Sequence, residues 1–242
     1  MNSLIIGFGV VGKNMAEIFP DAEIHDPAQG YDYLGVADVG FACVPTERLE
    51  NGSADLSIVK SVVDEWAGKC KALVIKSTVP PGTTQWLGHD NLIMSPEYFG
   101  GTQHANAHNY DFVILGGERK YTKIVTELYK EHYAASLRII LTDSTTAELT
   151  KYMENSWLAT KVTFCNEFYR LAQQYGVDYD ELRECWLADP RVNPSHTFVY
   201  RDHPYWDSHC LNKDVPAIVT HSKNAPLLES VININEAHKR DI

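Results

Sequence analysis

Cys210 lies in the run His209-Cys210-Leu211-Asn212-Lys213-Asp214, where a thiol is followed at once by a lysine and a carboxylate. A thiol beside a cation is a candidate covalent nucleophile, and Lys213 is expected to favour its thiolate. Lys151 and Asn155 stand four residues apart, so on a helix they share a face from which an ammonium and an amide can stabilise an alkoxide or oxyanion. At the other end of the chain, Gly7-Phe8-Gly9-Val10-Val11-Gly12 separates the apolar run Ser3–Ile6 from a helical pattern over Asn14–Phe19. Strand, glycine turn and helix in that order form a dinucleotide fingerprint. Gly7 permits the turn, Gly9 lets backbone amides, Val10 and Val11 among them, approach a pyrophosphate, and Gly12 lets the helix pack on the strand. Glu23-Ile24-His25-Asp26 then reads as a second strand ending in a carboxylate placed for ribose hydroxyls. Asp26 would repel a 2′-phosphate, so NAD is the expected cofactor.

A hydride acceptor and a thiol in one chain suit an oxidation in two stages. The thiolate of Cys210 adds to an aldehyde to give a thiohemiacetal, loss of a second hydride gives a thioester, and water releases the acid. Each assignment has a plainer rival: Cys210 as a small buried hydrophobe, Lys151 and Asn155 as surface polar residues, Glu97 as a turn cap, Arg191 as a salt-bridge residue. His104, His108, His203, His209 and His221 show no ligand spacing and read as structural or solvated. Tyr200, Tyr205 and Trp206 suit either a substrate loop or a core.

These residues need a scaffold, and its elements are legible. Strand-like runs at Val39–Val44, Leu73–Lys76, Leu92–Met94, Phe112–Leu115 and Leu137–Leu141 alternate with helical stretches from Asp55 and around Ile124–Tyr129. Such alternation predicts a mostly parallel sheet with right-handed crossovers and helices on both faces. Ligands of such sheets collect at the carboxyl ends of the strands, which places Thr46, Thr78 and Glu97 around one crevice. From Thr145 a capping box, Thr145-x-x-Glu148, opens a helix that runs to Tyr175-Gly176, about thirty residues or roughly 45 Å. Leu149, Met153, Trp157, Val162, Phe164, Phe168 and Leu171 put apolar groups on more than one face of it, which predicts the spine of an all-helical domain that also packs on a second subunit. A further helix starts at Asp178-x-x-Glu181, and the segment from Val215 onward reads as helix with a break at Asn224-Ala225-Pro226. The expected fold is α/β: a Rossmann-type domain over 1–144, then a helical dimerisation domain over 145–242.

The chain has 242 residues and a formal net charge of −11 with no basic run, which argues against a nucleic-acid partner. No apolar stretch is long enough for a membrane span and no leader pattern is read, so a soluble, cytoplasmic protein is expected. Five scattered cysteines without paired spacing suit free thiols in a reducing compartment and no structural metal.

Taken in order, Gly7–Gly12, Val44-Pro45-Thr46, Asp55-Leu56-Ser57, Lys76-Ser77-Thr78-Val79-Pro80-Pro81-Gly82-Thr83-Thr84, Ser95-Pro96-Glu97-Tyr98, Ala147–Asn155, Asn166-Glu167, Asp189-Pro190-Arg191-Val192 and Cys210–Asp214 resemble the UDP-glucose/GDP-mannose dehydrogenase family. The resemblance implies an NAD-dependent, two-step oxidation of a nucleotide sugar's C6 alcohol to a carboxylate, on a Rossmann domain followed by a helical domain through which homodimers form. It implies that Asp214 helps Lys151 position or deprotonate water, that Glu97 serves thioester hydrolysis or acid/base work, that Thr78 holds a bridging water and that Arg191 reaches the substrate of a partner subunit. The family continues into a second Rossmann-like nucleotide-binding domain, so a shortened member is expected, acting alone or with a partner that supplies that domain. The family's glycine pair before the nucleophile is Asp207-Ser208 here, two side chains expected to hinder a phosphate-bearing substrate, and its second acidic residue after the Pro-Glu motif is Gly101. The segment between Asp26 and Val39 is shorter than usual. Two further readings stay open: a β-hydroxyacid or 6-phosphogluconate type dehydrogenase making one hydride transfer, and a non-catalytic NAD or nucleotide-sugar binder.

Overall fold

The computed structural model describes residues 1–98, 111–133 and 136–240; His104, His108 and Gly101 lie outside the described residues. The chain forms two compact units, one of Met1–Glu47 with Ala54–Lys151, the other of Arg48–Ser53 with Tyr152–Ile242.

The first unit is built on one sheet of seven strands: β1 (Ser3–Ile6), β2 (Glu23–His25), β3 (Ala37–Ala42), β4 (Cys70–Ile75), β5 (Leu92–Met94), β6 (Phe112–Gly116) and β7 (Arg138–Thr142). Their order is β2-β1-β3-β4-β5-β6-β7, and every pairing is parallel except β5 with β6. The inner strands β1, β3, β4, β5 and β6 are largely apolar and buried, as expected where both faces of a sheet are covered, whereas the edge strands β2 and β7 are more exposed. One layer of core gathers Leu4, Ile6, Leu73, Ile75 and Trp66; the other gathers Ile5, Phe19, Phe41, Val74 and Leu128. The helices are α1 (Val10–Ile18), α2 (Ser57–Trp66), the single turn α3 (Thr83–Trp86) and α4 (Arg119–His132). The direction of strand order reverses at β1, so the carboxyl ends of β1 and β3 border the crevice where a doubly wound sheet takes its ligand.

The 32-residue helix α5 (Ser144–Tyr175) contributes to both units. It begins one residue before the expected position, and Asp143, not Thr145, caps it, accepting the amide of Thr146 at 2.8 Å and its hydroxyl at 2.6 Å. The domain boundary expected at 144/145 follows secondary structure, whereas packing keeps the helix with the sheet through Lys151, because Ala147 sits in the first core layer. Gly176 ends α5 with φ +67.

In the second unit α6 (Tyr179–Leu187) is capped by Asp178, and α7 (His209–His221) and α8 (Pro226–Arg240) follow. Trp206, Leu211, Val215 and Val231 pack on Ala159 of α5. Trp206 is core: it is buried, its indole donates to Thr163 Oγ1 at 3.0 Å, and Asn235 bonds its backbone at both N and O. Helix α7 starts at His209 and runs through Pro216. Proline removes one helical amide and leaves the carbonyl four residues earlier, that of Asn212, without its donor. Arg48 Nη1 donates to that oxygen at 3.4 Å, and Thr220 reaches back to the Asn51 carbonyl, which is why a short loop from early in the chain belongs to this unit. All five cysteines are free thiols. Among the described residues no helix is long and apolar enough to cross a membrane.

Candidate active site

In the first unit the glycine turn is fixed by contact. Gly7 has φ +90, donates its amide to His25 O at 2.9 Å, and a Cβ there would come within 2.8 Å of the Cys43 carbonyl. A Cβ on Gly12 would strike the Gly7 carbonyl oxygen, whereas one on Gly9 would meet nothing within 4 Å. Gly9 is also the N-cap of α1, and no side chain caps that helix. Gly9, Val10, Val11 and Gly12 therefore offer an open approach to a helix N-terminus with positive partial charge, a cradle that fits the pyrophosphate of NAD. Asp26 Oδ2 accepts the Phe8 amide at 2.8 Å and the Gln29 side chain at 2.8 Å. The Phe8 bond, chief among several, holds its carboxyl below the usual carboxylate range. Asp26 thus stays an anion at the end of β2 and ties the turn to it.

Around the ends of β3 and β4, Thr46 donates to the Thr78 carbonyl at 2.9 Å and Ser77 to the Val44 carbonyl at 2.6 Å, joining the two loops expected to meet there. The turn beyond Thr78 is held by Glu148, wholly buried on α5. Its Oε2 accepts the Gly82 amide at 2.5 Å; its Oε1 accepts the Thr84 amide at 2.7 Å and hydroxyl at 2.6 Å. Burial pushes the Glu148 carboxyl upward and these bonds pull it back. With backbone donors at both oxygens, the ionised, acceptor-only form is the one that fits. One turn on, Lys151 is buried with its Nζ 5.0 Å from the Tyr98 ring centre. Glu97, beside Tyr98, is partly buried and lines a cavity of about 20 Å³ with Lys76, Tyr129 and Tyr133.

In the second unit Asp214 is 2% exposed and binds two partners: Asn155 Nδ2 donates to Oδ2 at 2.6 Å and Lys213 Nζ to Oδ1 at 2.5 Å. Lys213, expected to favour the Cys210 thiolate, also forms an ion pair with Asp214. Cys210 is exposed and is the second residue of α7, in the turn whose amides carry positive partial charge. Its plainer rival, a buried apolar cysteine, does not hold. Ser208 caps this helix by accepting the Leu211 amide at 3.3 Å, and Asp207 accepts Asn212 Nδ2 at 2.8 Å and Lys239 Nζ at 2.9 Å. The pair in place of the two glycines therefore builds the helix start, and the negative charge of Asp207 is offset by Lys239. Arg191 is 88% exposed and forked onto Asp189, the salt-bridge arrangement weighed against a substrate role.

Residues 29–133 match the UDP-glucose/GDP-mannose dehydrogenase family NAD binding domain, and residues 145–237 match the central domain of the same family. The chain belongs to this family. It is 30% identical over 215 residues to UDP-N-acetyl-D-mannosamine dehydrogenase of Methanocaldococcus jannaschii, covering 83% of this chain and 49% of that one. It is also 30% identical over 213 residues to UDP-glucose 6-dehydrogenase of Rickettsia bellii, covering 81% and 48%. UDP-D-ManNAc dehydrogenase from Pyrococcus horikoshii shares the fold, with a TM-score of 0.80 at 24% identity over 98% of this chain and 69% of that one. The chain thus spans about half the length of the curated relatives it matches. The family consists of NAD-dependent nucleotide-sugar dehydrogenases, and the glycine turn and Asp26, which precede the matched stretch, supply independent geometry for NAD.

Sequence reasoning overlooked buried charges that hold this family member's loops, Lys76 and Glu148 in the first unit among them. Lys76 was visible only as the polar end of an apolar strand, and Glu148 was read as half of a capping box. The signal for both was a charge where the apolar pattern calls for a core residue.

Proposed function

We propose that the chain oxidises the C6 primary alcohol of a nucleotide sugar to the carboxylate, with Cys210 as covalent nucleophile. When bound, NAD accepts the hydride at each oxidation; Gly7, Gly9, Val10, Val11, Gly12, Asp26, Thr46 and Thr78 are assigned to hold it. Lys151 and Asn155 stabilise the oxygen of the alcohol as its proton passes to the water held by Thr78 and its carbon-bound hydrogen leaves as hydride. The Cys210 thiolate then bonds to the aldehyde carbon, the carbonyl π pair moves to oxygen, and the thiohemiacetal yields a second hydride to become a thioester. Water, positioned by Asp214, Lys151 and Thr78 with Glu97 as base, breaks the C–S bond and leaves carboxylate and thiol. The observation that carries this reading is an exposed thiol in the first turn of α7, the helix that also carries Lys213 and the buried Asp214 to which Asn155 of α5 donates.

Substrate class is tested by calorimetric titration of UDP-glucose, UDP-N-acetyl sugars and GDP-mannose in the presence of NADH. The reading expects at least one to bind with a Kd of about 1 mM or tighter; affinity for none of them would exclude it. A homodimer is part of the proposal. Leu149, Met153, Trp157, Phe164, Phe168 and Tyr175 form one exposed apolar stripe along α5, beside a 300 Å³ groove that Trp157, Phe164, Trp186, Val192 and Arg191 line. Sedimentation should show a dimer that Met153→Asp converts to monomer, and a monomeric parent chain at micromolar concentration would contradict it.

A further inference from the structure

A lysine directly after the apolar strand β4 is costly, because an ammonium removed from water needs both bonds and counter-charge. Lys76 is 3% exposed, and its Nζ reaches Ser95 Oγ at 3.2 Å and the Pro96 carbonyl at 3.5 Å. Those two residues directly precede Glu97, and Lys76 and Glu97 line the same cavity of about 20 Å³, room for one water molecule. Charged and titratable groups face Lys76 from several elements: Cys43 after β3, Glu97 after β5, Tyr129 on α4, Tyr133 directly after α4, and Lys151 on α5. Burial pushes the Cys43 thiol up to about 12, so it stays neutral, and the tyrosines are raised likewise. Among the described residues Glu97 is therefore the anion that offsets this cation. The residue after Glu97, Tyr98, meets Lys151 through its ring.

We propose that Lys76 is the positioning residue for Glu97: it fastens the Ser95–Tyr98 turn and supplies the buried positive charge that keeps the Glu97 carboxylate ionised. The proposal rests on the reading of Glu97 as the base of the hydrolysis step. Burial lowers Lys76 itself to about 8, so this support is present at neutral pH and fades as the solution becomes alkaline.

The test is the carboxyl carbon of Glu97, followed by NMR across a pH titration of ¹³C-glutamate-labelled protein and assigned with Glu97→Gln, in the parent chain and in Lys76→Met. The midpoint should rise by about one pH unit or more when the cation is removed. In turnover, the acid limb of the kcat profile should move upward by the same amount while NADH affinity stays within about twofold. Lys76→Gln provides a second neutral variant should Lys76→Met fail to fold. An unchanged Glu97 midpoint in a folded neutral variant would overturn the proposal. A shifted midpoint in a chain that turns over no nucleotide sugar would uphold the role of Lys76 while rejecting the functional reading.

Discussion

The loops at the carboxyl edge of the sheet and the candidate residues of the helical unit are held in different ways. In the first unit Gly7 and Gly12 are locked by backbone, Thr46 is bonded to the loop of Thr78, and Glu148 clamps Gly82 and Thr84 from within the core. In the second, Cys210 and Arg191 stand exposed, and only Asn155 and Asp214 are buried together. A cofactor common to a whole family calls for a rigid cradle, whereas a nucleophile must stay accessible to a substrate. Substitutions at the locked positions of the first unit should therefore cost folding, and those among the exposed residues of the second should cost turnover with little effect on stability.

The sharpest contrast within the first unit is Gly12→Ala against Gly9→Ala. The former drives a methyl into the Gly7 carbonyl and should cost on the order of 3 kcal/mol or more by urea unfolding. The latter has space, so stability should change by less than about 1 kcal/mol while NADH affinity falls about tenfold or more. Equal effects at both positions would remove the distinction between a packing glycine and a ligand glycine. Next in size, Glu148→Gln replaces an acceptor oxygen with an amino group facing an N–H, and should cost about 1 to 3 kcal/mol in the same assay. A neutral result there would mean that the carboxyl is protonated.

Lys76 gives a comparable signal that depends on pH. Its folded pKa lies near 8, below the ordinary 10.5. Between those values the unfolded chain holds the extra proton, so stability rises with pH, by up to a few kcal/mol, and the cost of the buried charge is fully present below about pH 8. Unfolding at about pH 7 and about pH 9.5 should show this gain in the parent chain and not in Lys76→Met. The smallest effect is expected at Asp189→Ala, which releases an exposed ion pair and should change stability by less than about 0.5 kcal/mol. A larger loss would show that the Asp189–Arg191 fork supports more than itself.

Much of this was legible from residue order. The sheet could be read because strands covered on both faces are short apolar runs, and α5 because its apolar positions run unbroken to Gly176. Helix α7 starts six residues before the expected Val215 and runs through Pro216, where a donor from Arg48, distant in sequence, satisfies the carbonyl that the proline leaves without its amide. The role of Glu148 was hidden, since a local partner, Thr145, satisfied the pattern while its partners in the fold lie at Gly82 and Thr84. Local spacing records local bonds, and both misreadings involve bonds that span more than sixty positions.

The most direct test of the central claim is the number of NADH formed per nucleotide sugar consumed, in the parent chain and in Cys210→Ala. The account predicts two in the parent, with carboxylate as product, and no more than one in the variant, with the second oxidation lost and NADH affinity retained. One NADH in both, or two in both, would contradict a covalent role for this thiol.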